Sequence, residues 1–133
     1  MNNLEVVKAF VRAVNFGDVD RISDLMTPGH MFIDADGSER IGRDEMISCW
    51  RRYLEMVPDF RIEVSDRFER DNMVILIGRA SGTFAEHGEM KRENRWSVPS
   101  AWRVIVKSGK VAVWQLFANQ RERYEIVRRI MAA

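Results

Sequence analysis

The sequence predicts an α+β protein in which helices come first and a run of antiparallel strands follows. Three observations predict this class: helical periodicity in much of residues 4–57, period-2 apolar patterns over most of residues 61–119, and no regular alternation of strand and helix. The 133 residues contain no Pro/Gly/Ser-rich linker, so we expect one domain, residues 1–133. A strongly bent sheet could wrap the third helix.

Two helices are predicted near the N-terminus. Apolar residues recur at three- and four-residue steps over residues 4–14, and Gly17 follows them as a natural C-terminal stop. Asp18 is suited to cap a short second helix, which we expect to run through Met26 and to end before Thr27.

A strand, a third helix and a hairpin are predicted next. Residues 30–36 alternate, which indicates a first strand that ends at an Asp-Gly turn. The broad apolar stripe of residues 43–57 predicts the third helix, and Pro58 ends it. Residues 61–69 and 73–84 are rich in apolar and β-branched side chains and predict two strands of a hairpin.

The second of these strands contains Gly78 and Gly82, so we expect a bend there or the close approach of another backbone. Residues 85–95 are polar and indicate a mobile loop. Apolar residues at helical spacing over 124–131 predict a last amphipathic helix. Glu122 and Glu125 interleave with its arginines and no aromatic stacking pattern accompanies them, so we interpret these arginines as a solvated face.

The stretch from Trp96 to Asn119 predicts a long central hairpin. β-Branched and aromatic residues fill both halves, and the polar residues 107–110 supply the turn. Pro99 cannot donate to a strand ladder, so we expect an edge or a bulge there. Both faces of the hairpin are largely apolar, and we expect cover on both sides, by a helix on one and a second subunit on the other.

Composition and charge argue against several classes of function. Twenty-one basic and twenty acidic residues leave a formal net charge of +1, so we expect no nucleic-acid partner. Cys49, His30 and His87 give no metal-ligand spacing, and no glycine-rich phosphate loop follows a strand, so we expect neither a metal nor a cofactor. No signal peptide or long apolar span is evident, and we expect a cytoplasmic protein with no membrane partner.

Four local strings carry a family resemblance. They are Gly42-Arg43-Asp44 at the start of the third helix, Val57-Pro58-Asp59-Phe60 after it, Gly82-Thr83, and the central hairpin. The hairpin is the most telling, since it combines a Trp-x-x-Pro-x-Ala-Trp strand with a Gly-Lys turn and a closing Trp-x-x-Phe-Ala segment. Over essentially the whole chain, the order of elements and these strings resemble the SnoaL-like (polyketide cyclase-like) branch of the nuclear-transport-factor-2-like superfamily.

The resemblance implies a cone-shaped α+β barrel with a cystatin-like fold. In such a barrel, N-terminal helices pack on a strongly curved antiparallel or mixed sheet, and a pocket opens at one end. Homodimers that pair the outer sheet surfaces are common in these proteins. The superfamily includes polyketide cyclases, ketosteroid isomerases, dehydratases, epoxide hydrolases and subunits without activity, so the fold does not determine the function.

The chain departs from the family pattern at the end of the last strand. Many relatives carry an aspartate there, whereas this chain has Asn119, which cannot abstract a proton but can hold a substrate oxygen. The Arg-x-Asp pattern that the resemblance implies for epoxide hydrolases is also missing, because Ala80 and Ser81 follow Arg79. This disfavours epoxide hydrolysis.

Asp34 is the candidate catalytic base. It shares a strand face with His30 and Phe32, and the resemblance implies that this face can point into the cavity. Burial among aromatic residues would raise the pKa of this carboxyl and suit it to proton transfer. His30 is the candidate proton partner. A surface carboxylate and a surface or capping histidine are the alternatives for these two residues.

Six residues are candidates for substrate binding. The aromatic residues at helix or strand spacing could line a slot for a ring-shaped ligand or simply form the core. Gln115 and Asn119 share a strand face and offer both donors and acceptors, with a dimer-interface hydrogen bond as the alternative for Gln115. The six candidates are Asn119, Gln115, Trp50, Tyr53, Trp96 and Phe117.

We therefore expect a homodimeric protein whose apolar cavity binds a small cyclic molecule. If it is an enzyme, the expected chemistry is cofactor-free acid-base catalysis of the cyclase, isomerase or dehydratase kind on a cyclic or polyketide-like substrate. The alternative is a non-catalytic ligand-binding or dimeric assembly module, which Asn119 favours. Cys49 is interpreted as a small buried hydrophobe and not as a nucleophile.

Overall fold

A computed structural model describes residues 1–132 and confirms the α+β class. In chain order its elements are α1 (Asn3–Phe16), α2 (Val19–Asp24), β1 (Met26–Ile33), β2 (Glu39–Ile41), α3 (Arg43–Met56), β3 (Arg61–Arg70), β4 (Met73–Thr83), a 3₁₀ turn (Arg92–Asn94), β5 (Arg95–Lys107), β6 (Lys110–Ala118) and α4 (Arg121–Ala132). None of the helices in this part of the chain is long and apolar enough to cross a membrane.

The six strands form one curved sheet in the order β2-β1-β6-β5-β4-β3. All neighbouring strands are antiparallel except β1 and β6, which run parallel, so the sheet is mixed. The central hairpin β5–β6 is confirmed, with Ser108 and Gly109 at positive φ in its turn. Its position in the middle of the sheet explains why both of its strands are so rich in apolar residues.

Alternation along β5 continues through Pro99 without a change of face. Trp96, Val98, Trp102 and Val104 are all buried on the inner face of the sheet. Of the two alternatives predicted at Pro99, an edge or a bulge, the bulge is not found there, since the irregularity in the β5–β6 ladder lies between Ile105 and Val106. On one side, Pro99 is paired with β4. On the other side it lies just beyond the Ser100–Ala118 pair, where the β6 ladder ends, so no β6 residue requires an N–H from Pro99.

Two element boundaries near the N-terminus differ from the prediction. The second helix ends at Asp24 instead of Met26, and the first strand begins at Met26 instead of His30. Met26 pairs with Val111 of β6, whose N–H also donates to Leu25 O at 2.6 Å. Pairing with a strand distant in sequence therefore overrides the local helical pattern. The short strand β2 was not predicted.

The third helix and the two strand glycines are as predicted. Met46, Trp50 and Val57 are buried along the stripe of α3. A Cβ atom built at Gly78 would lie 1.8 Å from the Glu63 carbonyl oxygen of β3. The glycine therefore allows two strand backbones to approach closely.

Candidate functional site

A cavity of about 260 Å³ lies between α3 and the inner face of the sheet. Most of its wall is apolar and comes from both layers: Phe32, Met46, Trp50, Met56, Phe60, Ile62, Ala80, Trp102, Trp114 and Leu116. The remaining lining residues carry polar side chains: Asp34, Arg40, Cys49, Arg52, Tyr53 and Arg123. Apolar walls with a few polar groups are typical of sites that bind small organic molecules.

Cross-strand pairing explains the composition of the sheet side of the cavity. Trp114 of β6 pairs with Val104 on one side and with Phe32 of β1 on the other. Phe32 pairs in turn with Arg40 of β2. Directly paired residues project from the same face of a sheet, so this row brings Phe32, Trp114 and Arg40 to one wall.

Asp34 lies on the cavity wall just after β1. Its backbone is fixed in the β1–β2 turn, because its N–H donates to Ser38 O and its carbonyl accepts from Gly37 N, each at 2.9 Å. The side-chain Oδ1 accepts from Ala35 N at 2.7 Å and from Gln120 Nε2 at 3.2 Å. Oδ2 makes no hydrogen bond within residues 1–132. One oxygen of an oriented carboxylate is thus left for a ligand.

A chain of hydrogen bonds leads from Asp34 to Tyr53. Gln120 Oε1 accepts from Arg123 Nη1 at 2.6 Å, and Arg123 Nη2 donates to the Tyr53 hydroxyl oxygen at 2.5 Å. Burial raises the pKa of Tyr53 to about 12, and the positive charge of Arg123 opposes that rise. The phenol is therefore protonated at neutral pH, and its O–H can donate to a ligand.

Trp50 lines the cavity opposite the sheet, as the sequence predicts for an aromatic wall. Its ring packs edge-on against Tyr53, with the ring centroids 6.4 Å apart. Only 7% of Trp50 is accessible, and its indole Nε1 has no hydrogen-bond partner within residues 1–132. Asp34, Trp50 and Tyr53 are therefore brought together at one cavity.

Trp96 is buried beneath Arg123 and does not line the cavity, contrary to its predicted substrate contact. Its ring centre lies 4.4 Å from Arg123 Cζ, and 1% of the residue is accessible. Phe60 packs beside it with ring centroids 6.0 Å apart. Trp96 therefore packs between Arg123 of α4 and Phe60, and both of these residues line the cavity.

His30 lies in the core away from the cavity lining, so it is not placed as the proton partner of Asp34. The residue is fully buried, and its ring stacks on Phe10 with centroids 6.3 Å apart. Nδ1 lies 2.8 Å from Val111 O, to which it donates, and Nε2 has no partner within residues 1–132. Burial lowers the pKa of His30 more than this hydrogen bond raises it, which favours the neutral form of the ring.

Gln115, Phe117 and Asn119 do not reach the cavity either. Gln115 is paired with Arg103, and Phe117 with Ala101, on the outer face of the sheet. Asn119 is exposed and its Oδ1 accepts from Arg121 N at 3.0 Å, which satisfies a donor at the start of α4. The structure therefore does not bring Gln115 and Asn119 to the cavity, where Tyr53 and Arg123 contribute polar side chains instead.

Cys49 also lines the cavity and is half-buried on α3. Its Sγ lies 3.6 Å from Arg52 Nη2 and 3.8 Å from Glu45 Oε1. Within the described part of the chain, no group of three or more His, Cys, Asp or Glu side chains is arranged to hold a metal ion.

Sequence reasoning missed Arg40, Arg52, Gln120 and Arg123 as cavity or network residues. Arg123 was interpreted as part of a solvated helix face, but it is partly buried, whereas its neighbours Arg121, Glu122 and Tyr124 are exposed. No short-range pattern marks it, because its contacts with Tyr53 and Trp96 span 70 and 27 positions. The alternating inner-face pattern of β1 was the available signal for Asp34.

Two of the strings that carried the family resemblance meet beside the cavity. Asp59 Oδ1 accepts from Thr83 N at 2.7 Å, and Asp59 Oδ2 accepts from Thr83 Oγ1 at 2.8 Å. A Cβ atom at Gly82 would lie 2.3 Å from Val57 Cγ1. This junction fixes the segment after α3 against the end of β4 and thereby holds Phe60 in the cavity wall.

The curved sheet, the helix across it and the cavity between them define an NTF2-like α+β fold. The profile of the SnoaL-like domain matches residues 7–114. The chain therefore belongs to the SnoaL-like family. No curated protein matches the chain.

Solved structures share this fold at low sequence identity. A proposed polyketide cyclase from Xanthomonas campestris pv. campestris superimposes with a TM-score of 0.82 at 18% identity, covering 94% of this chain and 96% of the other. A proposed SnoaL-like polyketide cyclase from Shewanella denitrificans gives a TM-score of 0.81 at 14% identity, covering 96% and 97%. A protein with a ketosteroid isomerase-like fold from Catenulispora acidiphila, in complex with trimethylamine, gives 0.72 at 17% identity, covering 85% and 84%.

Proposed function

We propose that this protein binds a small cyclic organic molecule in the cavity between α3 and the sheet, and that it acts on it by cofactor-free acid-base chemistry of the isomerase, cyclase or dehydratase kind. One observation carries the proposal. Asp34 presents a carboxylate at an apolar wall with Oδ1 held by two donors and Oδ2 unpartnered within residues 1–132. An oriented base with one free oxygen is what proton abstraction requires.

The chemistry follows from the neighbouring groups. Asp34 Oδ2 would take a proton from a carbon next to a substrate carbonyl, leaving an enolate whose negative charge lies largely on oxygen. The protonated Tyr53 hydroxyl, itself hydrogen-bonded to Arg123, is a donor for that oxygen. Preorganised donors of this kind stabilise developing charge best where water is excluded. Where the enolate is conjugated with a carbon–carbon double bond, return of the proton from Asp34 to the far carbon of that double bond would complete an isomerisation.

The alternative is a non-catalytic ligand-binding or dimeric assembly module. Asn119 stands where many relatives carry an acid, and it caps α4 outside the cavity. The names of the Xanthomonas and Shewanella proteins concern polyketide cyclisation, which supports a polyketide-like ligand for this cavity under either alternative. An enzyme and a non-catalytic ligand-binding module differ in turnover and not in binding, whereas a dimeric assembly module need not bind a ligand.

Deuterium incorporation from D₂O into 1-tetralone and 2-tetralone, followed by NMR, tests the enzymatic alternative without knowledge of the product. We expect Asp34→Asn to slow exchange by about 10²–10⁴-fold, the usual contribution of a positioned acid or base, while ketone binding persists. Tyr53→Phe should slow exchange by about 10²-fold through loss of one donor. Asp36→Asn is the matched control, because Asp36 is exposed in the same turn and bonds only to Ser38 within the described residues.

Two outcomes would decide against catalysis by Asp34. If the Asp34→Asn and Asp36→Asn variants both catalysed deuterium exchange of the ketones as fast as the unsubstituted protein, the proposed base would be wrong. If the protein bound these ketones but did not accelerate exchange, the non-catalytic alternative would stand.

We also propose a homodimer formed through the outer face of the sheet. Phe68, Ile77 and Phe117 are 58%, 43% and 50% exposed on that face. Cross-strand pairing places Ile77, Ala101 and Phe117 in one row. An exposed apolar sheet face of this kind favours association.

A further inference from the structure

The polar groups of the cavity are unequally divided between donors and acceptors. Among the described residues, the lining includes three arginines, Arg40, Arg52 and Arg123, and one residue with a carboxylate side chain, Asp34. Tyr53 adds a hydroxyl donor, and Trp50 adds an indole N–H without a partner within residues 1–132. A complementary ligand must therefore supply acceptor atoms.

The three arginines differ in how their charge is balanced. Arg40 is paired with Glu45, with Nη1 and Oε1 3.2 Å apart. Arg123 is committed to Gln120, Tyr53 and the ring of Trp96. Arg52 has no carboxylate within 4 Å among residues 1–132. Glu45 and Asp34 carry two negative charges against the three positive charges of these arginines. Among the described residues, one positive charge therefore remains in excess at the cavity.

Arg52 stands at the exposed rim of the cavity. Its one hydrogen bond within the described chain is from Nη2 to the Cys49 sulfur at 3.6 Å, and sulfur is a weak acceptor. The rest of its donor fork is free, and guanidinium forks match carboxylates in a bidentate geometry.

We infer that the ligand of this cavity is a cyclic carboxylic acid, whose carboxylate is bound by Arg52 at the rim while its ring lies among Trp50, Phe60 and Trp114. This inference rests on the proposed function, because it assumes that the cavity is the ligand site. The cavity of about 260 Å³ lies slightly below the range of roughly 300–1,000 Å³ of most ligand pockets, which favours a compact ring system. Arg52 is thus a binding residue that determines specificity for acids.

Isothermal titration of 2-naphthoate and 2-naphthamide tests the inference, since the two probes share a ring system and differ in charge. We expect the acid to bind about tenfold or more tightly than the amide, the usual advantage of a hydrogen bond to a charged group. Raising the ionic strength from about 0.1 M to about 1 M should reduce this preference, because the Debye length falls from about 10 Å to about 3 Å.

Arg52→Gln should remove the preference for the acid while changing amide affinity by less than about twofold. Arg51→Gln is the matched control, because Arg51 precedes Arg52 on α3, is exposed, lies 3.9 Å from Asp20 and is not a lining residue. It should leave both affinities unchanged. Arg52→Lys should retain part of the preference, since a point charge remains without the fork.

Several results would overturn the inference. One is equal binding of the acid and the amide. Another is an equal loss of the preference for the acid in Arg52→Gln and Arg51→Gln. The last is binding of the neutral 2-tetralone with no binding of the acid. The last result would leave the proposed function standing, because a neutral ring would still occupy the cavity. Failure of all three compounds to bind would count against both.

Discussion

Arg123 lies over the ring of Trp96, with Cζ 4.4 Å from the ring centre, and this contact joins α4 to the start of the central hairpin. The same guanidinium bonds to Gln120 and Tyr53. A second arginine of α4, Arg129, donates to Glu93 O at 2.7 Å. The last helix is therefore held to the rest of the fold by side-chain contacts at two points, and Arg123 at one of them lines the cavity.

Arg123→Met should loosen α4 and reduce the free energy of unfolding by about 1–2 kcal/mol, through loss of the cation–π contact and the hydrogen bonds. Arg128→Met, at an exposed position of the same helix, is the control. Denaturant unfolding gives the energies, and amide exchange over residues 121–132 should be faster only in Arg123→Met. If Arg123→Met and Arg128→Met reduced the free energy of unfolding equally, the contact between Arg123 and Trp96 would not hold the helix.

Burial of His30 predicts a pH-dependent stability. The pKa of His30 is lowered in the folded protein, so the unfolded chain binds the proton more readily. This contribution to stability is complete above the unfolded pKa of about 6.5 and is lost as the pH falls towards the folded pKa. Each pKa unit of lowering corresponds to about 1.4 kcal/mol.

His30→Asn can keep the donor to Val111 O but does not titrate, so its midpoint of thermal unfolding should fall less between pH 7 and pH 5 than that of the unchanged protein. His87→Asn, in an exposed turn at positive φ that asparagine tolerates, should keep the original slope. Comparison of slopes separates this effect from the lower absolute stability that the smaller asparagine side chain causes in the core. Parallel slopes for all three proteins would be inconsistent with a buried neutral histidine.

The contact between Gly78 and β3 predicts a severe effect of one methyl group. Gly78→Ala would place Cβ 1.8 Å from the Glu63 carbonyl oxygen, so the β3–β4 ladder must shift. We expect a loss of about 1–3 kcal/mol in denaturant unfolding, or more if the bulge between Val64 and Asp66 cannot relax. Gly29→Ala, which meets open space without positive φ, should be nearly neutral. Equal stability of the two variants would refute the close approach.

The outer sheet face predicts the effect of a charge on association. Phe117→Lys should convert a dimer to a monomer in analytical ultracentrifugation, because the ammonium group would be buried without a partner in the interface. Phe16→Lys introduces the same charge at an 80% exposed position on α1, outside the row formed by Ile77, Ala101 and Phe117, and should leave the dimer intact. If the unsubstituted protein were monomeric at all concentrations, the proposed dimer would be wrong.

The fold was largely predictable because its main elements carry strong local patterns. The alternation of β5 from Trp96 to Val106 and the stripe of α3 both survive in the structure. The boundaries around Met26 were not predictable, because they depend on pairing with Val111, which lies 85 positions away. The bulge position depends in the same way on pairing between strands.

The site was only partly predictable for a related reason. Alternation correctly groups Gln115 with Phe117, but it does not tell which face of β6 is turned inward when both faces are apolar. The structure turns Trp114 and Leu116 into the cavity instead. Arg123 is brought to Tyr53 by the docking of a helix, and no short pattern in the sequence encodes that contact.

The most direct test of the central claim is an ¹H–¹⁵N NMR titration of the tryptophan indole signals with 2-tetralone and 2-naphthoate. Trp50, Trp102 and Trp114 line the cavity, whereas Trp96 lies beneath Arg123. Among residues 1–132, the indole Nε1 atoms of Trp50 and Trp96 both lack a partner, so we predict a large shift for Trp50, which lines the cavity, and a smaller one for Trp96, which does not. Indole signals that do not move, together with shifts on the outer face around Gln115 and Phe117, would contradict a ligand site in this cavity.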